Sequence, residues 1–82
     1  MSHRTITTTR AVLDSGQVWL AAIEAARIAR MAWLHAPEND DADAHEVRIN
    51  TELLQDEAAR RHMEALRAYR AATRRQVERA AS

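Results

Sequence analysis

Any chemistry in this chain would have to come from four histidines, an acidic run and an arginine-rich run. His3, His35, His45 and His62 are scattered, and none forms a His-x-x-x-His or Glu-x-x-His pair that would put two metal ligands on one helix face. His62 falls near the middle of an apolar stripe, where burial could tune an imidazole toward general-base work. No serine or cysteine nucleophile is expected beside it, and no glycine-rich phosphate loop occurs anywhere. A hydrogen-bonded core or interface histidine is therefore the expectation, with no catalytic residue, no metal and no cofactor.

The acidic run holds Asn39, Asp41, Asp43 and His45 in alternation, with Glu52 as the twelfth residue from Asp41, which is the outline of a calcium loop. The glycine that a calcium loop needs at its sharp turn is missing. A solvated, helix-capping acidic turn fits these residues better. Acids crowd the stretch from Glu38 to Glu57, whereas from Ala58 onward arginine dominates. Arg67, Arg70 and Arg74 fall in a row along one helical side, and with Arg75 and Arg79 they are candidates for contact with phosphates or an acidic partner. Against that, acids at helical spacing offer each a local partner: Asp56 with Arg60, Glu57 with Arg61, Glu64 with Arg67, and Glu78 with Arg74 or Arg75.

Those runs must ride on helices. The only proline, Pro37, lies in a polar segment from His35 to Asp43, and the residue before a proline leaves the α region, so a first helix should stop near His35. Asp43 with Glu46 three residues on resembles a capping box, so a second helix should start there and run to Ala80 without glycine or proline. The spacing predicts a helix over 9–35, a turn over 36–43 and a helix over 44–80, preceded by a flexible arm over 1–8. Asp14 with Gln17 beside Gly16 is a competing start, and the β-branched stretch Arg4 to Val12 allows a short strand and a ribbon-helix-helix fold. The helix that follows is too long for that fold.

The apolar pattern then points outward. In the second helix one stripe holds Val47, Leu54, Ala58, His62, Ala65, Leu66, Tyr69, Ala72, Val77 and Ala80, with arginines mostly opposite. The first helix is apolar around most of its circumference, which a single neighbouring helix cannot cover. Val12, Trp19, Ala26 and Trp33 repeat every seven residues, as in a supercoiled seam. Val18, Trp19, Ala22, Ala25, Ala26, Ala29, Ala32 and Trp33 are the expected oligomer interface, and exposed Ile49 and Leu53 the expected contact for a further protein partner. Matching residues across the hairpin puts Trp19 near His62. Arg27 and Arg30 should then find Glu52, Asp56 or the Trp33 ring.

Length and composition agree with dependence on other chains. The chain has 82 residues, no cysteine, no Phe and a formal net charge of zero, so a small core must form by packing alone and no global field draws nucleic acid or anionic membrane. All basic residues are arginine and alanine is abundant, the signature of G+C-rich codons, which suggests a bacterial or phage source. No apolar leader follows Met1, and Glu24, Arg27 and Arg30 interrupt the most apolar stretch, so a cytoplasmic protein with no membrane span is expected. The expectation is an all-α two-helix antiparallel hairpin that assembles as a homodimeric four-helix bundle or higher oligomer. It would act as a non-enzymatic adaptor, inhibitor or regulator, with nucleic-acid binding through the arginines as the alternative.

Overall fold

The computed structural model describes residues 3–35 and 42–81, which form two helices, α1 (His3–Leu34) and α2 (Ala42–Ala81). They lie antiparallel, with Thr5 bonded to Gln76 at one end and Trp33 against His45 at the other. The result is a rod of 66 × 13 × 13 Å. Most of the expected turn, residues 36–41, lies outside the described residues. Asp43 sits in the first turn of α2, where a carboxylate suits the helix dipole.

α1 begins six residues earlier than Thr9, so from His3 onward the expected arm is helical, and neither a strand nor a break at Gly16 occurs there. The threonines explain the difference. Thr7, Thr8 and Thr9 each donate their hydroxyl to a carbonyl three or four residues back, which lets β-branched polar residues sit inside a helix. Thr5 is buried against α2 and donates to Gln76 Oε1 at 3.0 Å. Tertiary contact thereby holds residues of poor helix propensity. The same extension means that Thr73 to Gln76 of α2 runs alongside α1 instead of projecting past it.

The seam follows a seven-residue repeat on both helices. From α1 it takes Thr5, Val12, Trp19, Ala26 and Trp33, interleaved with Ser15, Ala22 and Ala29; from α2 it takes Thr51, Ala58, Ala65 and Ala72, interleaved with Gln55, His62 and Tyr69. Among the described residues only Ala26, Ala29, Ala58, Ala72 and Thr5 are buried. Small side chains let the two backbones approach closely. The stripe expected on α2 is thereby rotated, because Val47, Leu54 and Val77 stay exposed while Thr51 and Gln55 turn inward. No helix among the described residues is long and apolar enough to cross a membrane.

Candidate interaction surface

Gly16 marks the tightest approach between the helices. A Cβ there would lie 3.2 Å from His62 Cε1, so the imidazole occupies the space that a side chain would take. The His62 ring also stacks at a tilt on Trp19, with centroids 5.4 Å apart. Its Nδ1 lies 2.9 Å from Ser15 Oγ, so the serine that the sequence did not place near His62 is in fact its neighbour, one helical turn from Trp19.

A hydroxyl beside an imidazole has the spacing of a nucleophile and its base. The surroundings do not complete that chemistry. The Ser15 hydroxyl also has the Val12 carbonyl at 3.1 Å as an acceptor, and the nearby backbone N–H groups are spent on helix bonds, leaving none to stabilise an oxyanion. What the pair does is satisfy two polar groups inside a close-packed seam.

Toward the turn, a second cluster joins the helices. The Arg48 guanidinium lies 4.5 Å over the Trp33 ring and reaches Glu52 at 3.4 Å, while Arg30 reaches the same carboxylate at 3.6 Å. Glu52 is thus the partner that Arg30 was expected to find. Arg27 turns instead to Glu24 on its own helix, and the cation over Trp33 is Arg48, not Arg30. Arg27 holds the Glu24 carboxyl below its ordinary value, through a hydrogen bond first and its charge second. Arg60, bonded to both Glu57 and Glu64, likewise lowers the Glu57 carboxyl, chiefly by its hydrogen bond.

Of the residues expected to meet another copy, Ala26 is only 1% exposed and Ala29 is buried, so the intrachain seam uses them up. Trp19, Trp33 and Ala22 are half-buried at the same seam. Val18, Ala25 and Ala32 remain outward-facing. Ile49 and Leu53 are exposed, as their positions on the wheel implied. Arg67, Arg70, Arg74 and Arg75 form no ion pair with any described residue, since Glu64 bonds Arg60 instead of Arg67.

The largest feature is one that the sequence understated. Thirteen large aliphatic side chains are exposed, and the other three among the described residues, Val12, Ile23 and Leu66, are only half-buried. They flank the seam on both sides. One flank is a groove of about 530 Å³ between Ala11, Val18 and Ala22 of α1 and Leu54 and Ala58 of α2, rimmed by Asp14, Glu57 and Arg61. The other carries Ile6, Leu13, Leu20 and Leu34, at seven-residue multiples along α1. No group of His, Asp and Glu among the described residues is arranged to hold a metal ion. Compared with known proteins, the chain matches no family model, no curated protein and no solved structure.

Proposed function

We propose that this chain is a small non-enzymatic interaction protein, an adaptor, inhibitor or regulator, that works as a homo-oligomeric helical bundle and presents its remaining surface to a protein partner. The observation that carries the reading is the inversion of the hairpin: alanines fill its core while thirteen large aliphatics face outward. Burying an alanine methyl contributes about 0.8 kcal/mol, whereas covering a Leu, Ile or Val contributes about 1.5–3 kcal/mol. Most of the apolar free energy encoded in this sequence is therefore realised only against another chain. Exposed aliphatics on both flanks leave room for two contacts, one with a copy and one with a target.

Light scattering combined with sedimentation on the purified chain tests this. A dimer or larger species at micromolar concentration is expected; a well-folded monomer at high micromolar concentration would overturn the reading. A second reading is favoured by the unpaired row Arg67, Arg70 and Arg74, extended by Arg75 and Arg79, which suits phosphate contact. Binding to random duplex DNA at two salt concentrations decides between them. Binding that collapses with salt and weakens in Arg70→Ala and Arg74→Ala would support nucleic acid, and absence of binding at both salts would leave the protein-interaction reading.

A further inference from the structure

The charges of the rod are sorted by end. Because the helices run antiparallel, Arg4 of α1 meets Arg75 and Arg79 of α2 around a depression of about 310 Å³ whose lining includes Ala72 and Gln76. Neither Arg4 nor Arg75 forms an ion pair with a described residue. Guanidinium groups gathered in one depression repel one another unless carboxylates come between them. The opposite end carries Asp43, and the sequence adds Glu38, Asp40 and Asp41 just before it.

Both ends belong to one face. Arg4, Ala11 and Val18 follow at seven-residue steps on α1, and Arg75, Arg61 and Leu54 at seven-residue multiples on α2, so the arginine depression continues the groove lined by Val18 and Leu54. Asp43 lies in the same helical row as Glu57 on the rim of that groove. The Trp19–His62 contact puts Val18 and Arg61 at one level, close to the middle of the rod.

We propose that a second copy of this chain lies antiparallel on the Val18–Leu54 face, about a two-fold axis beside Val18, so that its acidic end meets the Arg4–Arg75 depression. This rests on the oligomeric reading above and adds the face and the direction. About this axis, Val18 meets its own copy, Ala11 faces Ala25, Leu54 faces Ala68, and Asp43 falls between Arg75 and Arg79. Small residues opposite large ones allow the two layers to interlock, and opposite charges set the register. A parallel copy would instead stack arginine on arginine. A face 66 Å long and 13 Å wide is of the size that stable interfaces use, roughly 800 Å² per partner.

The chain has no native cysteine, which makes cross-linking clean. Mild oxidation should convert Val18→Cys into a disulfide dimer, because a disulfide needs Cα atoms about 4.4–6.8 Å apart. Leu20→Cys, at the same level on the other flank, should stay reduced. Arg75→Asp should weaken the dimer by tenfold or more in sedimentation equilibrium, and adding Asp43→Arg should restore it, with circular dichroism showing every variant helical. A dimer that cross-links through Leu20→Cys but not Val18→Cys, or a charge swap that fails to restore association, would overturn this arrangement and leave the oligomeric reading standing. A helical monomer at every concentration would overturn both.

Discussion

Gly16 occupies the middle of a 32-residue helix, where glycine costs about 1 kcal/mol relative to alanine. The cost is tolerated because the His62 ring fills the place of a side chain. In Gly16→Ala, the gain in propensity should be offset by displacing the imidazole from Ser15, leaving the thermal midpoint nearly unchanged. In a His62→Ala background, the same substitution should stabilise by about 1 kcal/mol. A double-mutant cycle measures the difference, and a coupling near zero would refute the contact. Charge acts more weakly at this scale. The Glu24 and Glu57 carboxyls are held below their ordinary value of 4.5, so the support they give is present above that value and is lost as pH falls through their lower folded values. Both ion pairs lie on the solvent side of their helices. Far-UV circular dichroism should therefore stay flat from neutral to mildly acidic pH and decline slightly only below it, and Glu57→Gln should blunt that decline.

At the scale of the helices, the seam depends on smallness. Ala26→Leu would force a large side chain into a position that is 1% exposed and should cost about 1–3 kcal/mol in chemical denaturation, whereas Ala25→Leu, one residue away and facing outward, should leave the fold of the hairpin intact. Equal effects would mean that the seam is not where the structure places it. The hairpin itself was legible in the sequence, because Pro37 and the acidic segment are strong breakers and the repeat of Val12, Trp19, Ala26 and Trp33 marks the inward edge of α1. So was the pairing of Trp19 with His62. The start of α1 was not, since Thr5 to Thr9 are held by bonds to preceding carbonyls and by Gln76, a contact 71 residues away in sequence. Neither was the inward edge of α2. A wheel weighted toward large apolar residues selects Val47, Leu54 and Val77, whereas close packing selects alanine, threonine and glutamine. The Ser15–His62 bond was missed for the same reason: it depends on the register of the seam, not on local spacing.

For the whole molecule, a thin rod with an alanine core leaves association as the main source of stability. If copies associate as proposed, the thermal midpoint should rise steadily with protein concentration, by mass action. A midpoint constant over a hundredfold dilution would show that the hairpin stands alone.

The two described ends, His3 and Ala81, lie together at one end of the rod, with the turn at the other. That arrangement has a mechanical consequence. Tension applied between those ends would peel the helices apart one level at a time, starting at Thr5–Gln76, passing Ser15–His62 and reaching the Arg48–Trp33 cluster last. Load along the rod would instead strain every level at once. The hairpin is therefore built to yield at low force when unzipped from its open end and to resist when pulled lengthwise from opposite ends.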